Sequence, residues 1–433
     1  NSAAMVVSLF AIWRIGAVVS PVNPNLAEPE VRFQLADAGA VVVITDGAHA
    51  HLVGDSTVTV LTKLAGGASD VALPDAAALP TDAVALLIYT SGTTGRPKGV
   101  MLSHDNLLAM SGMLIGELEL TAADRALLVL PLFHANAILL STLSPLRAGG
   151  SMVIAKRFEP GAFLELVQRV RPTYFSGVPT VYSMLVTHPD AAACDFSSLR
   201  FAVCGAAPAT QELLAEFERL AAVPIIEGYG LSEGTCASAI NPLHGPRHPG
   251  SCGPTRDGPP SRSVDEDGTN VAAGEPGEVQ IAGPNVMLGY LGRPEDTAAT
   301  IVDGWLRTGD VGVLDDDGFL RIVDRIKDMI IKGGENIYPK EIEAAAAGAV
   351  GVLEVAVVGR ADPRLGEVPV LFVTARPGAL VDVEAVRSLL AAELSRFKLP
   401  AEIVVLEHLP KNPVGKIDKP ALRRALAEPA TSP

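Results

Sequence analysis

Residues Tyr89 to Gly99 read Tyr-Thr-Ser-Gly-Thr-Thr-Gly-Arg-Pro-Lys-Gly, a composition suited to holding phosphates. Glycines let backbone N–H groups converge on an anion. Thr90, Ser91, Thr93 and Thr94 add hydroxyl donors around Gly92 and Gly95, and Lys98 adds a mobile full charge. The run follows an apolar stretch, Ala83 to Ile88, that reads as a buried strand. It is not a Walker A loop, because Lys98 is followed by Gly99 rather than by a hydroxyl residue opening a helix. Taken alone, an ordinary polar turn after a strand competes with the phosphate reading.

Other stretches carry chemistry-bearing residues in an ordered series. Glu227-Gly-Tyr-Gly-Leu-Ser-Glu-Gly-Thr235 follows a predicted strand, and Gly205-Ala206-Ala207-Pro208 closes another. Downstream lie Trp305-Leu-Arg-Thr-Gly-Asp310, Asp324-Arg325-Ile-Lys327-Asp328 and Lys332-Gly333-Gly334. Near the end stands Leu409-Pro-Lys-Asn-Pro-Val-Gly-Lys416. A carboxylate such as Glu233 could share a hard dication with a polyphosphate, and a guanidinium such as Arg325 supplies a fixed cationic fork. His244, His248 and Cys252 could be offered as a zinc site, but they lie in a Pro/Gly-rich loop without helical register, so a solvated loop is the expectation there.

Alternating elements position these residues. Strands are expected at 17–21, 40–45, 83–89, 126–130, 151–155, 173–177, 201–204 and 224–229, with helices at 28–38, 160–170 and 210–222. That alternation argues for an α/β fold: a large N-terminal domain of layered, mostly parallel sheets. Strands at 278–282, 311–314 and 319–323, the last pair joined by Asp315-Asp316-Asp317-Gly318, predict a small β-subdomain. From 328 a small α/β C-terminal domain is expected, with strands near 329–331, 353–358, 368–374 and 403–406 and helices at 340–347, 383–395 and from Pro420. An apolar helix is expected to begin at Leu130-Pro-Leu-Phe-His134-Ala-Asn136.

Composition bounds the function. The chain has 433 residues, 48% of them apolar and 19% charged, enough for more than one core. A net charge of −15 argues against a non-specific nucleic-acid or anionic-membrane binder. Four cysteines without paired metal-ligand spacing point to a reducing compartment, and the apolar stretch Met5 to Val22 is interrupted by Arg14, glycine and proline, unlike a membrane span.

Taken in order, the motifs resemble the signatures of the adenylate-forming superfamily, which contains acyl- and aryl-CoA synthetases, firefly luciferase and the adenylation domains of peptide synthetases. The resemblance runs from about residue 89 to 418. It implies an AMP-forming acyl-CoA synthetase that uses ATP, Mg²⁺ and coenzyme A to activate a fatty or aryl acid in the cytoplasm. By it, Thr90, Ser91, Gly92, Thr93, Thr94, Gly95 and Lys98 contact the phosphates, and Gly205, Ala206, Ala207, Glu227, Gly228, Tyr229 and Gly230 surround the adenine. Ser232 touches the α-phosphate, Glu233 holds Mg²⁺, and Asp310, Ile322 and Arg325 serve ribose and phosphate. Lys416 is the adenylation lysine. Lys327 is the hinge between an AMP-binding domain, 1–327, and a mobile C-terminal domain, 328–433. Lys332, Gly333 and Gly334 belong to the loop that meets coenzyme A, while His134, Asn136, Thr180, Gly230 and Thr235 face the acid.

The alternatives are a ligase or adenylation domain that loads a carrier protein, a luciferase-like oxidase, and a non-catalytic nucleotide-binding protein. The last would be expected to lack Lys416 or Glu233, and both are present. Members of the superfamily carry several dozen residues before the position of Asn1, so the first sheet is expected to be incomplete in this chain. Pro259, Pro260, Ser261 and Ser263 stand where an apolar strand is usual, predicting an irregular edge.

Overall fold

The computed structural model describes residues 1–54, 58–62, 75, 78–90, 97–206, 209–248, 250–255, 261–265, 267–333, 335–411 and 417–427. It divides into two compact units. The first comprises Asn1–Arg262, Gln280–Thr308 and Leu314–Arg321; the second comprises Ser263–Val279, Gly309–Val313 and Ile322–Pro433.

The first unit is built on a six-stranded sheet in the order Ala239–Ile240, Ile225–Tyr229, Phe201–Cys204, Tyr174–Gly177, Arg125–Leu128, Ser151–Ile154. All neighbours run parallel except the terminal pair formed by Ala239–Ile240 with Ile225–Tyr229. The apolar runs become buried strands because amphipathic helices cover them. Helix Pro160–Val170 turns Phe163, Leu164 and Val167 inward, and helix Gln211–Ala221 turns Leu214, Phe217 and Ala221 inward. Carboxylate oxygens of Glu159 cap the first of these, and the Thr210 hydroxyl caps the second. Phe217 is fully buried and meets the ring of Tyr182 edge-on at 5.0 Å, burial worth about 2–3 kcal/mol.

A separate antiparallel sheet holds the strand that leads into the Gly/Thr-rich run. Val84–Thr90 pairs with Lys98–Ser103, which pairs in turn with Gly289–Tyr290. The run 17–21, expected as a strand, makes only a single bridge among the described residues, Val19 to Leu86, with Val19 N–H donating to Ala85 O and Val19 O accepting from Leu87 N–H. Pro21 has no N–H with which to extend that ladder. The apolar helix expected from Leu130 is broken into Ala135–Ile138, a π-helical turn Leu139–Leu143, and Ser144–Arg147. There the Thr142 hydroxyl takes up the Ala137 carbonyl five residues back. Met5 to Val22 yields helix Ala3–Arg14, anchored by Trp13 Nε1–H donating to Ala85 O. Among the described residues no helix is long and apolar enough to cross a membrane.

The expected β-subdomain strands extend further than the sequence suggested, as Pro276–Ile281, Trp305–Leu314 and Leu320–Arg325. Asp315 makes the last turn by accepting Asp317 and Phe319 N–H groups on its carboxylate. Ser261–Val264 stands at the edge of this sheet; Pro259 and Pro260 lie outside the described residues.

In the second unit, Val352–Asp362 and Gly366–Ala375 form a long hairpin, with Glu402–Leu406 parallel to the latter and Ile330–Lys332 and Glu335–Ile337 beyond it. The sheet is thus mixed rather than parallel. Val357, Leu371 and Val373 pack beneath helices Pro339–Ala347 and Val383–Glu393. The alternating residues Ala356, Val358, Val370 and Phe372 pack under Leu422 of helix Lys419–Ala427. Both faces are covered, which is why these strands read as continuous apolar runs.

Candidate active site

The phosphate-loop strand ends in register with its partner: Thr90 pairs with Lys98 across the mouth of the hairpin. Ser91, Gly92, Thr93, Thr94 and Gly95 lie outside the described residues. Lys98 has a side chain 12% exposed, with Nζ 3.1 Å from Asp296 Oδ2 and 5.0 Å from the centre of the Tyr290 ring. This is a cation held in place between a carboxylate and an aromatic face. The Tyr89 hydroxyl donates to Asp37 Oδ2 at 2.8 Å, which ties the strand end to helix Glu28–Asp37.

Cys204 of Phe201–Cys204 lies in register with Glu227 of Ile225–Tyr229, so Gly205 and Ala206 leave one parallel strand beside Gly228 and Tyr229 on the next. Ligands of open α/β sheets bind at such carboxyl ends. The Gly228 carbonyl oxygen lies 3.3 Å from where a Cβ on Gly205 would stand. Ala206 adopts φ +66°, a left-handed conformation unusual for alanine. Ala207 lies outside the described residues. Gly230 is required by packing, because a Cβ there would collide with the Cys236 carbonyl group. Burial pushes the Glu227 carboxyl up to about 7, against a hydrogen bond with Gln211 that lowers it.

Ser232–Gly234 forms a single 3₁₀ turn, and Thr235 closes it at φ +68° with no exposure. A short segment, 284–291, fastens this turn. The Thr235 hydroxyl donates to Asn285 O, Asn285 Nδ2 donates to Gly234 O at 3.1 Å, and Met287 N–H donates to Glu233 O at 2.8 Å. The Tyr290 hydroxyl then donates to Glu233 Oε1 at 3.0 Å. Burial and the Glu233 charge hold the Tyr290 phenol far above its usual range, so it keeps its proton. The segment is also bound to the phosphate-loop hairpin: Leu288 N–H donates to Met101 O and Leu291 N–H to Gly99 O. Buried Asn106 completes the attachment, giving both side-chain N–H groups, at 2.8 Å each, to Pro284 O and Val286 O. Lys98 and Glu233 are therefore brought to one tyrosine. The sequence reading missed Tyr290, Asp296, Asn285 and Asn106, since nothing in their spacing marks them.

In the second unit, Asp310 and Arg325, both expected near the ribose, form an ion pair with Arg325 Nε 2.9 Å from Asp310 Oδ1. Asp310 is 4% exposed, while the guanidinium reaches solvent. Ile322 sits half-buried on the strand that carries Arg325. Asp324 is buried and accepts Arg325 N–H and Lys340 N–H, which anchors the segment just before Lys327. Lys327 is exposed in the turn Ile326–Asp328, and Asp328 pairs with Arg423 at 2.7 Å. Lys332 Nζ donates to Phe397 O at 2.7 Å, and Gly333, at φ +63°, donates to Leu365 O. Gly334 and Lys416 lie outside the described residues.

Of the residues expected to face the acid, His134 stands at the N-cap of Ala135–Ile138 with its ring 4.4 Å from that of Phe133. Asn136 is half-buried and Thr180 exposed at the start of helix Pro179–Val186. Buried Asn136 Oδ1 and Ser176 Oγ have no hydrogen-bond partner among the described residues. His248 stacks on Phe319 and pairs with Asp315, while His244 faces Glu119. All four cysteines are free thiols.

A model of the AMP-binding enzyme family matches residues 1–291, and one of the AMP-binding enzyme C-terminal domain matches 341–416. The chain belongs to the AMP-binding enzyme family. Among its relatives is a feruloyl-CoA synthase of an Amycolatopsis species, 40% identical over 98% of this chain and 87% of the relative. The ATP-bound structure of MatB from Rhodopseudomonas palustris matches with a TM-score of 0.91 at 33% identity, covering 98% of this chain and 87% of that one. The o-succinylbenzoate CoA synthetase of Bacillus subtilis, in complex with ATP and magnesium, matches with a TM-score of 0.86 at 31% identity, covering 99% and 88%. This AMP-binding enzyme is an AMP-forming acyl-CoA synthetase whose cofactors are ATP, Mg²⁺ and coenzyme A. Its residues fit the metal: the half-buried Glu233 carboxylate has one oxygen fixed by Tyr290, and a hard dication takes such oxygen ligands together with phosphate and water.

Proposed function

We propose that this synthetase activates an aryl carboxylic acid lacking a second anionic group. The reading is supported by the feruloyl-CoA synthase relative, whose acid is aryl with a single carboxylate, and by the expected acid-side residues His134, Asn136, Thr180, Gly230 and Thr235, none of which is Lys or Arg. The observation that carries the nucleotide side is the convergence of Lys98 and Glu233 on Tyr290.

In the first half-reaction the substrate carboxylate attacks the α-phosphorus, the bond to the β-phosphate breaks, and pyrophosphate leaves. Lys98 and the hydroxyl residues beside it hold the β- and γ-phosphates, and Glu233 presents a carboxylate to Mg²⁺. Bound there, Mg²⁺ would neutralise charge on the polyphosphate oxygens. Lys416 bridges the attacking carboxylate and the α-phosphate, offsetting their repulsion. Tyr229 stacks on the adenine, and Asp310 with Arg325 receives the ribose. In the second half-reaction the CoA sulfur attacks the carbonyl and AMP leaves as its C–O bond breaks. For this the domain 328–433 turns about Lys327 relative to 1–327, withdrawing Lys416 and bringing in the Lys332–Gly334 loop. Four free thiols and the nucleotide and thiol substrates fit a reducing cytoplasm.

Pyrophosphate release and CoA-thioester formation, measured over hydroxycinnamates, benzoates and fatty acids of 8 to 16 carbons, test the substrate. Aryl acids should give the higher kcat/KM; a preference for fatty acids rejects the aryl assignment. Lys416→Ala should abolish adenylation and leave thioester formation from supplied acyl-adenylate largely intact. Equal loss of both steps rejects the two-conformation scheme.

A further inference from the structure

We propose that Tyr290 is a positioning residue for Glu233, and that segment 284–291 fixes the spacing between Glu233 and the phosphate-loop lysine. The inference rests on the reading of Glu233 as the carboxylate presented to Mg²⁺.

A glutamate at a metal site has three rotatable bonds, and freezing a free side chain of this kind costs about 1.5–2 kcal/mol. A group that fixes the carboxylate beforehand removes that cost from nucleotide binding. The Tyr290 hydroxyl is such a group. It donates to Oε1 at 3.0 Å and leaves Oε2 and the second lone pair of Oε1 for other partners. Tyr290 is itself rigid: 8% exposed, in register with Val100, its N–H donating to Thr297 Oγ1 at 2.9 Å. Val100 stands two residues from Lys98 on the same strand, and Lys98 Nζ lies over the Tyr290 ring.

The backbone under Glu233 is tied to the same segment. Met287 holds its carbonyl, Asn285 holds that of Gly234, and Thr235 reaches back to Asn285. Asn106 holds the segment from the other side, 178 residues away in sequence at Pro284. One short segment thus sets both the backbone and the carboxylate oxygen of Glu233 against the strand that bears Lys98. Thr235 at a left-handed φ, and Gly234, where a Cβ would stand 2.9 Å from Ile281 Cδ1 and 3.0 Å from Ser238 Oγ, leave the turn little other freedom.

The test uses the whole protein and Tyr290→Phe, which removes the hydroxyl and keeps the ring over Lys98. Calorimetric titration with Mg·ATP should show affinity reduced about tenfold, as expected for loss of a hydrogen bond to a charged group. AMP binding without metal should be unchanged. In turnover, the Mg²⁺ concentration for half-maximal rate should rise while KM for coenzyme A stays constant. Glu233→Gln supplies the reference: it should weaken Mg·ATP binding, and adding Tyr290→Phe to it should produce no further loss. Wild-type Mg·ATP affinity in Tyr290→Phe, with Glu233→Gln impaired, overturns the positioning role. Wild-type affinity in Glu233→Gln overturns the metal reading beneath it. Equal weakening of Mg·ATP and AMP in Tyr290→Phe shows a general disturbance of the site and also overturns the proposal.

Discussion

Arg325 Nε sits 2.9 Å from Oδ1 of Asp310, so a nearly solvent-free carboxylate is held by a guanidinium from the strand Leu320–Arg325. A carboxylate oriented in this way can accept hydrogen bonds from both hydroxyls of a ribose. Asp310→Asn should lower kcat/KM for ATP by about 10- to 100-fold, the range for hydrogen bonds to a charged acceptor. KM for the carboxylic acid should not move. Comparing ATP with 2′-deoxy-ATP in a pyrophosphate-release assay is the sharper check, since the wild-type preference for ATP should shrink in the variant. An unchanged preference would place the ribose elsewhere.

Asn106 should matter to stability. Its Oδ1 accepts Ser103 N–H at 2.8 Å, and its Nδ2 serves two carbonyls. Asn106→Ala leaves these three backbone groups without that partner, at a cost of about 2–4 kcal/mol. Asn106→Asp restores only the acceptor and should recover part of the loss. Urea unfolding of the three proteins measures the order; an alanine variant as stable as wild type would show that water or neighbouring groups replace the side chain.

Glu227 should give stability a pH dependence of definite sign. Burial raises its carboxyl from an ordinary 4.5 to about 7. Between those values the folded chain keeps a proton that the unfolded chain has lost, so folding weakens as pH rises through this window. Above about 7 the penalty is complete. Glu227→Gln removes the titration and should gain in Tm relative to wild type from pH 5 to pH 8 in thermal unfolding. Parallel profiles for the two proteins would mean that the carboxyl titrates normally.

The parallel sheet was legible because its strands are short apolar runs between amphipathic helices, and both signals are local. The ends of Phe201–Cys204 and Ile225–Tyr229 fell where expected for the same reason. The pairing of Val84–Thr90 with Lys98–Ser103 was not foreseen, because a strand that carries lysine, glycine and serine lacks a clear alternation. Segment 284–291 was invisible for a different reason. It acts through backbone carbonyls and asparagine amides joined over long sequence separations, and neither periodicity nor motif spacing reports such bonds. The superfamily resemblance gave Asp310 and Arg325 separate roles near the ribose and not their ion pair; each alone reads as an ordinary surface charge.

The hairpin that bears Lys98 also couples foldability to reactivity. Successive residues of a strand point to opposite faces, so Lys98 shares a row with Val100 and Leu102, both completely buried. A slip of one position in the ladder would expel those two side chains from the interior and at the same stroke turn the ammonium away from Tyr290. Misaligned chains are thus penalised by water before they can ever be tested by substrate.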